Sequence, residues 1–233
     1  MRSSTWRALG NTYVVAEPHG VPLDSARAVE LAAGSDGVLE VLSASPGRVE
    51  IAIWNPDGSR AELSGNGTRI AAAWLAERTG EREIDVVVSG GRAVRTRILD
   101  SGELEQDLGE VDVGKAESVD GITFTPVSVG NPHAVVLGDP ASIDRVGPLL
   151  ETHVRFPERT NVQVARIDGP GDVTARVWER GVGETLSSGT SAVAVAAATH
   201  GDGEVTVHFP GGDLRVRLDG GRATLYGTVE RVA

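Results

Sequence analysis

Residues 179–198 read ERGVGETLSSGTSAVAVAAA, a polar loop punctuated by glycine that runs through Ser188-Gly189-Thr190 into a helix of small apolar residues. Ser, Thr and Gly suit the position before a helix, where a side-chain oxygen meets the free backbone N–H groups of the first turn. Those N–H groups and the helix dipole together form a site for a carboxylate or phosphate. The Ala/Val run has no charged face, so it predicts a helix buried on all sides. Residues 63–68, LSGNGT, lead in the same way into RIAAAWLAERTG at 69–80. A single Ser-Gly helix start is most often an ordinary cap. Two of them, each behind a polar loop, predict a duplicated architecture with two functional helix N-termini.

Working outward, Trp6 to Ala16 reads as a strand pair broken at Gly10-Asn11, and Ser25 to Ala33 as a helix stopped by Gly34. Val38–Leu42 and Val49–Trp54 read as strands, then Asn55-Pro56-Asp57-Gly58 as a turn, and Thr68–Glu77 as the first buried helix. Ile84–Val88 and Ala93–Leu99 flank Gly90-Gly91, a hairpin signal. The acidic stretch from Leu104 to Val113 marks the passage between halves. Ile122–Val129, His133–Leu137, Asn161–Ile167 and Val173–Glu179 read as strands, with a short helix over Pro140–Thr152. After the second buried helix, alternation predicts strands over Val205–Phe209, Leu214–Leu218 and Ala223–Val229. The strands read as consecutive, without alternating helices, which makes the class α+β rather than doubly wound.

The chain has 233 residues, 40% hydrophobic and 24% charged, enough apolar side chains for a core resting on Val, Leu, Ile and Ala because aromatics make up only 4%. A net charge of −11 argues against a nucleic-acid or anionic-membrane surface. With no cysteine, disulfides and thiolate metal sites are excluded. The first residues lack an apolar signal region and no long apolar run is present, so a cytoplasmic protein is expected. No HExxH, clustered histidine or Walker loop occurs. The GNG of residues 65–67 is too short for a dinucleotide fingerprint.

ERGVGETLSSGTSA at 179–192 resembles the second catalytic loop of diaminopimelate epimerases, and LSGNGTRI at 63–70 resembles the first. ALGNTYVV (8–15), WNPDGS (54–59), VSVGNPHAVV (127–136) and FPERTN (156–161) are similar to other segments of that family, in order, so the resemblance covers nearly the whole chain. It implies two pseudo-symmetric halves, each a mostly antiparallel sheet or barrel wrapped around a central apolar helix. The halves are expected at 1–112, with 224–233 returning to it, and at 113–223. It also implies removal of an amino acid's α-proton on one face and reprotonation on the other, LL to meso. No cofactor is expected, and a homodimer is compatible with the family.

By the same resemblance Ser64 and Ser188 stand where the family carries its two catalytic cysteines, and His133 matches its active-site histidine. Asn11, Asn55, Asn131 and Asn161 are amide arms around a zwitterion, although a lone loop Asn is usually a turn former. Glu179 and Arg180 answer the distal ammonium and carboxylate of a diamino diacid, against the plainer reading of a surface ion pair. Backbone N–H groups of Gly65, Asn66, Gly67, Gly189 and Thr190 are expected to hold the reacting carboxylate, with Glu179 also a candidate for the chemistry.

The serines set a chemical problem. A thiol ionises near pH 8.5 and a hydroxyl nearer the roughly 15.7 of water, so forming the anion costs on the order of 8 kcal/mol more for serine. A helix dipole contributes only about 0.3–2 kcal/mol. A serine therefore needs a partner base, for which His133 and Glu184 are the candidates. The serines have three open origins: substitutions that stop turnover, a chain made free of cysteine throughout, or a natural variant such as the related proline racemase group uses. An isomerase or dehydratase on another substrate, and a catalytically silent binding protein, are the alternative functions.

Overall fold

The computed structural model describes residues 2–18, 20–61, 63–89 and 91–232. Gly90, and with it the Gly90-Gly91 turn, lies outside the described residues, as does His19. The chain forms two compact units, Met1–Asp107 with Tyr226–Ala233, and Leu108–Leu225.

The first unit opens with β1 (Ser3–Ala8) and β2 (Asn11–Ala16), an antiparallel pair turned at Leu9-Gly10, both at positive φ. α1 (Ser25–Leu31) starts at Asp24, whose carboxylate accepts from the Arg27 N–H. β3 (Val38–Ser45) and β4 (Arg48–Trp54) pair antiparallel, and a short β5 (Arg60–Ala61) leads into α2 (Gly65–Thr79). β6 (Glu83–Val88), β7 (Arg92–Ile98) and β8 (Leu104–Glu110) follow as an antiparallel run. α2 packs against β1, β2, β4, β6 and β7. Its Ile70 and Leu75 enter a core with Leu39, Ile51, Ile53, Ile84 and Val86.

The second unit holds β9 (Asp112–Val113), β10 (Glu117–Val119), β11 (Ile122–Ser128) and β12 (Pro132–Leu137), then a 3-10 turn at Pro140–Ser142 and α3 (Ile143–Glu151). β13 (Asn161–Gly169), β14 (Asp172–Glu179) and β15 (Gly183–Thr185) lead into α4 (Gly189–Thr199). β16 (Gly203–Phe209), β17 (Gly212–Asp219) and β18 (Arg222–Gly227) follow; β19 (Glu230–Arg231) belongs to the first unit and pairs with β1. α4 packs against β11, β12, β13, β14, β16 and β17, which suits a helix whose first eight residues are all buried. Along β14, Val173, Ala175 and Val177 are buried between half-buried neighbours, the alternation of a strand with one face on the core.

The α+β class holds, with helices between strands as read, but parallel pairings join the strands that flank them. Among the described residues four strand pairs are parallel: β2–β3, β4–β6, β12–β13 and β14–β16. Parallel neighbours need a crossover, and each of these four crossovers carries a helix, α1 to α4 in turn. The order strand, helix, two longer strands, short strand, buried helix, two strands thus occurs once in each unit. The central helix also starts earlier than expected. Ser64 caps α2 by accepting from the Gly67 N–H, which draws Gly65, Asn66 and Gly67 into the first turn. Short strands β10, β15 and β19 escaped the sequence reading, because two- and three-residue strands carry too few alternations to show a period, and the expected last strand, Ala223–Val229, corresponds to β18.

One glycine is fixed by contact. A Cβ on Gly147, in α3, would lie 2.6 Å from Trp178 Cγ. The Trp178 ring is also held through its indole N–H, which donates to Glu151 Oε2 at 2.7 Å. Gly147→Ala should therefore lower stability by about 1–3 kcal/mol from overpacking, even after the gain in helix propensity. The check is a lower urea midpoint at unchanged slope, with altered tryptophan emission.

Candidate active site

In the first unit, Ser64 sits in extended backbone just before α2. Its Oγ accepts from the Gly67 N–H at 3.0 Å and lies 3.1 Å from the Tyr13 hydroxyl. Asn66 and Asn11 are buried, and the Asn66 amide donates to Asn11 Oδ1. The Asn66 oxygen in turn accepts from Arg69, a fully buried residue of the same helix. Burial lowers the Arg69 pKa to about 10, against a smaller opposing pull from Glu103, so the guanidinium stays charged at neutral pH. Its Nε and Nη1 have no hydrogen-bond partner among the described residues. A buried positive charge thus stands behind the first turn of α2 and adds to the field of the helix N-terminus.

Asn55 behaves differently from Asn11. Its amide donates to Ser59 Oγ at 2.9 Å and its N–H to the Ser59 carbonyl, so it closes its own turn. The turn is anchored through the preceding Trp54, whose indole N–H donates to the buried Glu40 at 2.9 Å. The other Glu40 oxygen accepts from the Leu23 N–H at 2.7 Å.

In the second unit, Ser188 stands in extended backbone before α4, almost wholly buried, and its Oγ makes no hydrogen bond among the described residues. Around the first turn runs a polar ring. Asn131 donates to Thr190 Oγ1 at 3.4 Å, and its Oδ1 is 2.9 Å from His133 Nε2. His133 Nδ1 is 3.0 Å from Gln163 Nε2, which also donates to Ser191 Oγ at 2.9 Å. With Gln163 donating to Nδ1, the imidazole proton is assigned to Nε2, where it binds the Asn131 oxygen. Asn161 joins this ring to the next loop: its amide donates to the Pro132 carbonyl at 2.9 Å and its oxygen accepts from the Arg180 N–H at 3.0 Å.

Glu179 and Arg180 follow Trp178 on that loop. Glu179 Oε1 accepts from the Thr185 hydroxyl at 2.6 Å, and Arg180 donates to the Glu158 carbonyl at 3.2 Å. The buried Glu151 fixes the loop at both ends, from the Trp178 indole and from the Gly181 N–H at 2.8 Å. Glu151 thus does for Trp178 what Glu40 does for Trp54.

Both expected partner bases are engaged by other groups in this structure. Burial, with a smaller push from Arg180, drives the His133 pKa down from 6.5 to about 3, against the opposing Gln163 bond. The ring is neutral at physiological pH, with Nδ1 accepting from Gln163 and Nε2 donating to the Asn131 oxygen. Glu184 binds Arg176 through both oxygens, at 2.6 and 2.7 Å. A stability consequence follows. Above pH 6.5 His133 is neutral folded and unfolded alike, and stability carries no pH slope from it. As pH falls from 6.5 towards about 3 the unfolded chain gains a proton that the folded one refuses, and stability is lost with the slope of one proton. His133→Gln should flatten unfolding free energy measured across that window.

The first unit therefore gathers Ser64, Gly65, Asn66, Gly67 and Asn11, and leaves Asn55 in its own turn. The second gathers Ser188, Gly189, Thr190, Asn131, His133, Asn161 and Arg180, with Glu179 bound to Thr185. Sequence reasoning missed Tyr13, Arg69, Gln163, Glu40 and Glu151. Only Tyr13 had a signal, two residues from Asn11 on one face of a strand. Among the described residues no three His, Asp or Glu side chains form a set that could hold a metal ion, and no helix is long and apolar enough to cross a membrane.

The family model described as diaminopimelate epimerase matches residues 14–119 and 125–231. A diaminopimelate epimerase of Desulforudis audaxviator is 34% identical, with 100% of this chain and 97% of the relative covered. One of Xanthomonas campestris pv. campestris is 35% identical over 96% and 90%. Among solved structures, a predicted epimerase of Pseudomonas aeruginosa superposes with a TM-score of 0.77 at 19% identity, covering 100% of this chain and 97% of that one, a likeness of fold.

Proposed function

The chain belongs to the diaminopimelate epimerase family, and from that premise we propose that it interconverts LL- and meso-diaminopimelate by moving the α-proton without a cofactor. The product serves lysine and peptidoglycan precursor synthesis. The observation that carries the proposal is the repeated helix start. Ser64 before α2 and Ser188 before α4 each precede a first turn with N–H groups unclaimed by the helix.

Ser64 and Ser188 are proposed as the acid/base groups of the α-proton transfer. Negative charge that develops on the α-carboxylate as the proton leaves is stabilised by first-turn N–H groups. In the first unit Arg69 and Asn66 reinforce them. Asn11, Asn131 and Asn161 orient the ammonium and carboxylate, while Glu179 and Arg180 read the distal end of the ligand. His133 serves by positioning Asn131.

The serines support a second reading, an isomerase or dehydratase of the same fold on another substrate, because a hydroxyl is so much weaker a base than a thiol. Calorimetric titration separates the two. Diaminopimelate should bind at least about tenfold more tightly than 2-aminopimelate, which lacks the distal ammonium proposed to meet the Glu179 carboxylate. Equal binding of both would reject the proposed substrate.

A further inference from the structure

We propose that Tyr13 is the proton-relay partner of Ser64, a role that rests on the proposed epimerisation and names the group that makes a serine workable in the first unit. The geometry is local. The Tyr13 hydroxyl lies 3.1 Å from Ser64 Oγ. The ring packs against the core of its unit and closes over Gly37, where an added Cβ would come within 2.9 Å of the ring carbon Cε1. The phenol is thus held in place by packing on its ring. Ser64 Oγ also accepts from the Gly67 N–H. When Tyr13 donates to it, both lone pairs of Oγ are engaged and the serine proton is left to point elsewhere, towards a substrate.

In the donating direction, the Ser64 O–H bond breaks as a C–H bond forms on the α-carbanion. The Tyr13 O–H bond breaks as a new O–H bond forms on Oγ. The negative charge moves from carbon to the phenolate, which then takes a proton from water. A phenol ionises near pH 10, against roughly 15.7 for a water-like hydroxyl, so the relay ends on a far weaker base than an alkoxide. A phenol of ordinary acidity is protonated at neutral pH, so the relay is written in the donating direction. Among the described residues Ser188 Oγ has no such hydrogen-bonded neighbour.

The test follows deuterium incorporation at the α-carbon of diaminopimelate in heavy water. Tyr13→Phe, which keeps the ring, should lower kcat by about 100-fold or more with KM little changed. A thiol needs no phenol behind it. In the Ser64→Cys/Ser188→Cys background the cost of Tyr13→Phe should therefore shrink by at least about tenfold. An equal loss in both backgrounds would assign Tyr13 to packing and overturn the relay. If the double-cysteine protein exchanges label but the serine protein does not, the substrate stands and the relay falls. If neither exchanges, the substrate reading fails, and the relay is decided without substrate. The chain has two tyrosines, so unmodified minus Tyr13→Phe absorbance near 295 nm isolates the Tyr13 titration. Ser64→Ala should move its midpoint, and an unmoved midpoint overturns the relay.

Discussion

Replacing Ser64 and Ser188 together by cysteine should raise α-proton exchange on diaminopimelate by about 1000-fold or more, the largest change expected of any variant. The argument is one of acidity. A thiol at a helix N-terminus ionises several units below 8.5, and both positions lie just before such an end. Ser188 gains most, because its Oγ has no hydrogen-bond partner among the described residues and His133 and Glu184 are both engaged elsewhere. One cysteine alone supplies one base, so each single variant should exchange label chiefly from one stereoisomer. Together they should exceed the sum, since the two groups act as a unit. The measurement is deuterium incorporation from each stereoisomer in turn. A double variant no faster than the unmodified protein would show that the serines are an evolved solution.

Arg180→Ala should weaken binding of diaminopimelate by about 100-fold, the loss of a charge-assisted pair to the distal carboxylate. Its effect on folding should stay under about 1 kcal/mol, because the side chain's bond to the Glu158 carbonyl, at 3.2 Å, lies at the surface. The loop itself is held by other groups: Asn161 takes the Arg180 N–H, and Glu151 takes the Gly181 N–H and the Trp178 indole. Calorimetry and thermal melting of one preparation separate the two effects. Unchanged binding would remove Arg180 from substrate recognition and with it the diamino diacid.

The buried helices were legible because a small-residue run with no charged face has one stable environment, the inside of a sheet. The strands flanking them were legible from alternation. The parallel pairings were not, since β4–β6 and β14–β16 join residues far apart in sequence and no local period records which strand a crossover returns to. Within the site, Ser64 and Ser188 stood out by their place before helices. Glu40 and Glu151 could not, because each acts on a tryptophan brought to it only by folding. His133 was visible as a residue but its state was not. Only the surrounding Gln163, Asn131 and burial make it a neutral ring.

The most direct measurement uses the unmodified protein in heavy water with LL- and then meso-diaminopimelate, followed by mass spectrometry and chiral separation. A cofactor-independent epimerase should place one deuterium at the α-carbon of the inverted product from either side, with no added metal or pyridoxal cofactor. Tight binding of both stereoisomers with neither label nor inversion would contradict it, and would leave a binding protein on an epimerase fold.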